Sequence, residues 1–426
     1  MEEAKVLYKT KTTRAERSRS KLVPELRFKG FEGEWARKNI GKISELTSSK
    51  RVYLSDYVNI GIPFFRGKEI SELKKNIVPN DILYISEKAY NEFREKYGVP
   101  QKDDILMTAV GTLGNVLRIK NDDKFYFKDG NLIWFRKISE SPAFLEIILE
   151  VKKLDIEKTS IGSTQRALTM VELRKLIFPF PTLPEQKKIA SFLSSVDEKI
   201  QQLTRKKELL EHYKKGVMQQ LFSGKLRFKD EKGKEYEEWE EKRLGEVAVR
   251  VSRKNKENNL NVLTISAQNG LVNQLEYFNK SVSAKDVTNY YLLEKDEFAY
   301  NKSYSKGYPM GAIKRLINYD KGVVSTLYIC FRFNNNVSLS FMEQYFENGY
   351  QNSEIEKVAQ EGARNHGLLN IGLNDFFNIN LIIPSLPEQK KIAKYLTSID
   401  KKIETIKKEI TATQGFKKGL LQQMFV

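Results

Sequence analysis

Apolar residues recur at alternating spacings of three and four in two stretches of this chain. In the first they are Ile189, Leu193, Val196, Ile200, Leu203, Leu210, Val217 and Leu221. In the second they are Ile392, Leu396, Ile399, Ile403, Ile406, Ile410, Leu420 and Met424. The spacing predicts the seam of a coiled coil, with Lys, Glu and Gln filling the solvated faces. Each stretch reads as a helix of about 40 residues, ~60 Å long if unbroken. Ser194-Ser195 and Thr397-Ser398 are the expected interruptions. Thr182-x-x-Glu185 and Ser385-x-x-Glu388 have capping-box spacing, in which the carboxylate turns back to the cap amide. Pro184 and Pro387 then fall in the first turn, where a missing N–H is harmless.

The intervening stretches alternate differently. Ile82–Ile85, Asp104–Val110, Val116–Ile119 and Leu132–Phe135 read as strands punctuated by Gly111, Gly114 and Gly130, followed by a helix from Pro142 to about Lys153. Further on, Val262–Ile265, Phe298–Tyr300, Gly311–Ile313 and Gly322–Phe331 read as strands, and Phe341 to about Ala359 as a helix. The two stretches are mixed α/β domains of similar texture.

The chain also repeats itself. Pro181-Thr-Leu-Pro-Glu-Gln-Lys-Lys-Ile-Ala190 returns as Pro384-Ser-Leu-Pro-Glu-Gln-Lys-Lys-Ile-Ala393. Asp197 and Lys214 recur as Asp400 and Lys417, and Gln219-Gln-Leu-Phe222 as Gln422-Gln-Met-Phe425. A shorter echo joins Leu26-Arg-Phe-Lys29 and Trp35 to Leu226-Arg-Phe-Lys229 and Trp239. The expected organisation is a basic N-terminal arm over 1–24, a first domain over 25–180 and a helical region over 181–222. A second domain follows over 223–383, then a second helical region over 384–426. The fold class is α+β: two mixed domains in tandem, separated by long helices that pair as an antiparallel coiled coil with pseudo-twofold symmetry. The competing arrangement packs each seam on its own domain.

Charge narrows the function. The 426 residues carry 73 Lys+Arg against 55 Asp+Glu, a formal net charge of +18. Such an excess favours a polyanion, because neutralising phosphates releases counterions. Cys330 is the only cysteine, and His212 and His366 are the only histidines. Disulfide frames, thiolate clusters and histidine-based catalysis are therefore not expected. The single cysteine fits a reducing cytoplasm, and no apolar run approaches the ~20 residues of a membrane span, so a cytoplasmic protein without membrane contact is expected. The chain has no Gly-x-x-x-x-Gly-Lys-Ser/Thr phosphate loop and no Pro-Pro dipeptide of the kind amino-methyltransferases use. Asp103-Asp104 and Asp122-Asp123 read as turn residues.

The duplicated Leu-Pro-Glu-Gln-Lys-Lys-Ile-Ala helix, together with Phe65-Arg-Gly67 and Val110-Gly-Thr-Leu-Gly-Asn115, resembles the specificity subunit of type I restriction–modification systems. The resemblance covers nearly the whole chain, though the second domain's Asn301–Gly307 region departs from the family pattern. It implies two target recognition domains, each reading one half of a bipartite site in double-stranded DNA, with the helices as a spacer. It implies a non-catalytic chain that docks two methyltransferase subunits and is joined by restriction subunits. S-adenosylmethionine, ATP and Mg would belong to those partners, with no cofactor or metal here. Pro184, Glu185, Gln186, Ile189, Leu193 and Ile200, with Pro387, Glu388, Gln389, Ile392, Leu396 and Ile403, would form the helix core and the partner-docking region.

Base edges are read by Arg and Lys on guanine and by Asn and Gln on adenine, and phosphates by cations, hydroxyls and amides. In the first domain this chemistry selects Arg66, Lys68, Thr108, Thr112 and Asn115, then Ser163, Thr164, Gln165 and Arg166. In the second it selects Asn301, Lys302, Ser303, Tyr304, Lys306 and Tyr308, then Arg364 and Asn365. The alternatives are a coiled-coil scaffold without sequence-specific DNA binding, or a fused methyltransferase or nuclease.

Overall fold

The structure, a computed structural model, describes residues 7–9, 22–278, 286–359 and 369–426. The chain divides into two compact units, Met1–Leu203 with Glu409–Val426, and Thr204–Lys408. Both long helices are continuous, over Leu183–Phe222 and Leu386–Met424. The expected breaks do not occur. Ser195 Oγ donates to Ser191 O (3.0 Å) and Ser398 Oγ to Tyr395 O (2.7 Å), so these hydroxyls bond back into their own helices. Among the described residues no helix is long and apolar enough to cross a membrane.

The first unit is built on an antiparallel sheet ordered Glu45–Thr47, Leu132–Arg136, Ile105–Thr108, Val116–Arg118. Its inner strands are almost wholly buried, and the helix Pro142–Val151 covers one face with Phe144, Leu145, Ile148 and Leu149. An accessory sheet joins Tyr126–Phe127, Ile62–Phe65, Leu83–Ile85 and Tyr57–Val58. Within the expected N-terminal arm, Leu7–Lys9 pairs antiparallel with Leu26–Phe28; the rest of 1–21 lies outside the described residues.

The second unit repeats the main sheet in the same order: Ala248–Arg250, Ile329–Phe333, Phe298–Asn301, Ala312–Arg315, all antiparallel. The turn before the inner strand repeats as well. Asp103 and Asp296 both adopt positive φ, +70° and +73°, and pair with Arg118 and Arg315. Outside this frame the units differ. The second carries a hairpin, Leu263–Ser266 with Gly270–Asn273, and a separate antiparallel pair, Tyr291–Glu294 with Lys321–Val324.

Two sequence expectations need correction here. The run Gly322–Phe331 is two strands in different sheets, separated by a turn in which Tyr328 N donates to Ser325 O (3.1 Å). The helix expected over 341–359 is Leu339–Glu347 and then Asn352–Val358. Gly349 at φ +73° ends the first: its N–H bonds Phe346 O while Tyr350 N–H bonds Tyr345 O, a Schellman termination.

Both seam arrangements weighed from sequence occur, on different turns. In the first unit Ile189, Phe192, Leu193 and Val196 enter the domain core beside Phe28, Trp35 and Phe144. Leu420, Met424 and Phe425 of the second long helix join the same core. Asp197 accepts from Lys417 Nζ (2.6 Å). In the second unit Ile392, Leu396, Ile399 and Ile403 lie with Val217, Leu221 and Phe222 in one core, and Lys214 Nζ meets Asp400 (2.7 Å). Asp197 corresponds to Asp400 in the repeat and Lys214 to Lys417, so one antiparallel ion pair forms twice.

Cys330 is buried in the second unit's inner strand, and burial, aided by Glu297, pushes its thiol up to about 12. A thiol reagent at neutral pH is expected to leave the native chain unlabelled and to label it fully in denaturant. Rapid native labelling would contradict this packing.

Candidate nucleic-acid interface

The repeated Leu-Pro-Glu-Gln segment explains how each long helix is fixed to its domain. Glu185 and Gln186 are buried. The expected capping use of the Glu185 carboxylate gives way to an ion pair: both oxygens accept from Arg27, through Nε and Nη2 at 2.8 Å. Gln186 Oε1 accepts from Ser141 N (3.0 Å) at the start of the Pro142–Val151 helix, while its Nε2 donates to Pro181 O (2.9 Å). The second copy repeats each contact. Glu388 accepts from Arg227, Gln389 Oε1 from Ser338 N (2.8 Å), and Gln389 Nε2 donates to Pro384 O (2.8 Å). Pro184 and Pro387 sit in the first turns as expected. Ile189, Leu193, Ile392, Leu396 and Ile403 are buried and Ile200 is half-buried.

In the first unit, three segments chosen from sequence converge at one edge of the main sheet. Gly111 (φ +77°) and Gly114 (φ +68°) shape the hairpin between Ile105–Thr108 and Val116–Arg118. The loop 162–166 is closed by reciprocal bonds between Ile161 and Ala167 and bridged to Val110. Gly67, opening the helix Gly67–Lys74, lies against Thr108 Cγ2. Thr112, Ser163, Thr164, Gln165 and Arg166 are exposed.

Other chosen side chains turn inward. Thr108 is buried; its hydroxyl donates to Thr112 O and accepts from Asn115 N (2.9 Å). Asn115 Nδ2 donates to Ser71 Oγ (2.9 Å) and its Oδ1 accepts from Lys153 Nζ (2.8 Å). These two brace the hairpin rather than present polar groups outward. Arg66 grips the buried Glu69 through Nε and Nη2 and also reaches Asp81. Burial opposes ionisation of Glu69, but the Arg66 bonds outweigh it and hold the carboxyl below its usual range. Lys68 stays exposed, 3.9 Å from both Glu72 and Asp81. Ser71 ties the helix Gly67–Lys74 to the hairpin, and Lys153 ties the hairpin to the helix Lys153–Lys158; neither is selected from sequence. They are 44 and 38 residues from Asn115, and no local pattern marks them.

The corresponding loop of the second unit runs from Asn301 to Tyr308. Asn301 Oδ1 accepts from Ser303 N (3.0 Å), and a turn through Gly307 (φ +87°) brings Tyr308 N to Ser305 O (2.8 Å). Tyr304 and Lys306 are exposed, whereas Lys302 and Ser303 are half-buried. Tyr308 is an anchor: its hydroxyl donates to Glu347, Lys314 Nζ bonds it at 3.1 Å, and the ammonium lies 4.6 Å above its ring. Burial and the bond to Glu347 raise its pKa. Arg364 and Asn365 lie outside the described residues.

A family model described as type I restriction modification DNA specificity domain matches residues 32–212 and 236–413. A putative type I restriction enzyme specificity subunit of Haemophilus influenzae is 28% identical over 159 residues, 37% of this chain and 39% of that protein. The putative type I restriction enzyme MjaX specificity subunit of Methanocaldococcus jannaschii is 27% identical over 226 residues, 50% of this chain and 52% of that one. The chain thus spans about half the length, or less, of these curated relatives. Among solved structures, the S subunit of a type I restriction–modification system from M. genitalium aligns with TM-score 0.58 at 19% identity, covering 95% of this chain and 99% of that one. A chain from a type I R-M system assembly aligns with TM-score 0.51 at 15% identity, covering 92% and 97%. Both likenesses concern the fold.

Proposed function

The chain belongs to the type I restriction modification DNA specificity family, and from that premise we propose that it is a non-catalytic reader of DNA sequence whose two domains each take one half of a split target. The observation that carries this reading is a frame built twice with different attachments. The same four-strand sheet and the same Glu–Gln lock recur in both units, while the accessory strands differ. A common frame gives both readers the same way of approaching a duplex, and different attachments give them different bases to read. The net charge of +18 supports a polyanionic partner. On this reading the paired long helices set the gap between half-sites and dock two methyltransferase subunits, with restriction subunits joining that core. S-adenosylmethionine, ATP and Mg act in those partners, and the assembly works on cytoplasmic DNA.

The test is co-expression with a methyltransferase subunit, followed by genome-wide mapping of methylated adenines. The expected result is a motif of two short blocks separated by unspecified bases. Exchanging residues 25–180 for those of a relative is expected to change one block and leave the gap unaltered. An uninterrupted motif, or simultaneous change of both blocks, contradicts the proposal.

A further inference from the structure

The hairpin around Gly111 and the loop 162–166 border an open cleft of about 420 Å³, lined by Gly111, Leu113, Glu157, Thr164, Gln165 and Arg166. Arg166 is fixed by two bonds to neutral oxygens, Nε to Ser160 Oγ (2.8 Å) and Nη2 to Glu157 O (2.7 Å). Among the described residues it has no carboxylate partner, so its charge is positioned but not neutralised. The backbone N–H groups of Leu113, Thr164 and Gln165 find no acceptor among the described residues. The one acid in the lining, Glu157, has its carboxylate 3.9 Å from Lys153 Nζ.

The backbone itself is specialised for close approach. Gly162 sits at φ +99°, and a Cβ there would stand 2.4 Å from Gln165 O, so the loop closes this tightly only with glycine. Gly111, also at positive φ, has nothing within 4 Å of its missing side chain, which leaves that wall open to an incoming group.

A held guanidinium, free amides and a threonine hydroxyl around an open concavity suit the oxygens of a tetrahedral anion. A base edge in the major groove offers acceptors and donors together and rewards a side chain free to align with it. Here the cation is pinned, and beside it stand main-chain amides and the Thr164 hydroxyl. We propose that this cleft binds one backbone phosphate of the DNA, so that it positions the first domain on the duplex without reading sequence. This rests on the DNA-reading proposal above and assigns the loop 162–166 a different task from base recognition.

The shared ligand chemistry is a phosphate oxyanion, and the experiment separates the phosphodiester from the free ion. Binding of the full chain to a random-sequence duplex is measured across a salt series for wild type, Arg166→Ala, Arg166→Lys and Thr164→Asp. Arg166→Ala is expected to reduce the slope of log K against log salt by about 0.9, the value for one phosphate contact. Arg166→Lys should retain the slope, because a charge remains. Thr164→Asp should weaken binding to every duplex alike. An unchanged slope in Arg166→Ala, or losses confined to one target sequence, overturns the assignment. Saturable binding of inorganic phosphate by wild type, with the DNA slope unchanged in Arg166→Ala, also overturns it in favour of a free-anion site. Wild type that binds no DNA refutes the parent reading; wild type that binds DNA while Arg166→Ala behaves identically refutes only the phosphate site.

Discussion

Replacing Arg27 with alanine is expected to destabilise the first unit by about 3–5 kcal/mol, the range for removing one partner of a buried ion pair. Arg27 is 4% exposed and Glu185 fully buried, and both carboxylate oxygens accept from that one guanidinium. Arg27 also donates to Gly33 O (2.6 Å) and Glu32 O (3.1 Å), so its loss frees the turn before Trp35 as well. The matching change, Arg227→Ala, is expected to cost less. Glu388 retains the indole N–H of Trp239 at 3.2 Å, whereas Trp35 Nε1 has no hydrogen-bond partner among the described residues. Urea denaturation followed by a probe in each unit checks both variants. Equal losses for the two would show that the tryptophan bond does not compensate.

Phe425→Ala is the second large effect, about 3–5 kcal/mol for truncating a buried aromatic. Its ring stacks 5.6 Å from Phe144 and meets Trp35 edge-on at 6.0 Å. The loss falls on the first unit, although the residue stands at the far end of the sequence. Phe222→Ala is the counterpart. Phe222 packs against Trp239 at 6.4 Å and Phe341 at 5.5 Å, so that variant weakens the second unit instead. The thiol of Cys330 reports on the second unit: labelling should accelerate in Phe222→Ala and stay slow in Phe425→Ala. The reverse pattern would contradict the assignment of the helix ends.

Much of this architecture is readable from sequence because its strongest signals are local. A seam repeating over many turns specifies a helix wherever it occurs, and a duplicated segment specifies duplicated structure. The inner strand Ile105–Thr108 falls inside the expected strand Asp104–Val110, and Phe298–Asn301 extends the expected Phe298–Tyr300 by one residue. Asp103 forms part of a turn, as its adjacent acid suggests. Local signals fail where apolar character continues through a change of direction. The turn at Ser325–Tyr328 is hidden in such a run, and Gly349 is a single residue in an otherwise helical pattern.

The candidate site shows the same division. Glycines and polar clusters mark the loops around Gly111, Gly162 and Gly307, because positive φ favours glycine. Which side chains face outward depends on distant partners. Asn115 is claimed by Ser71 and Lys153, and Tyr308 by Glu347 and Lys314. The Glu185 carboxylate, matched to a capping box by spacing, is claimed by a residue 158 positions earlier. Spacing alone cannot weigh a local amide against a remote guanidinium.

Residues 409–426 belong to the same compact unit as residues 1–203. A ribosome making ~5–20 residues per second therefore leaves the first unit without part of its core for roughly 10–40 s after residue 203 appears. During that interval Trp35 and Phe144 lack Phe425, and the apolar surface awaiting Leu420 and Met424 is open to water or to a chaperone. The second unit, contiguous in sequence, can close while translation continues. The domain synthesised first is thus the one finished last, and unfinished chains are expected to be trapped by holdase chaperones through their N-terminal half.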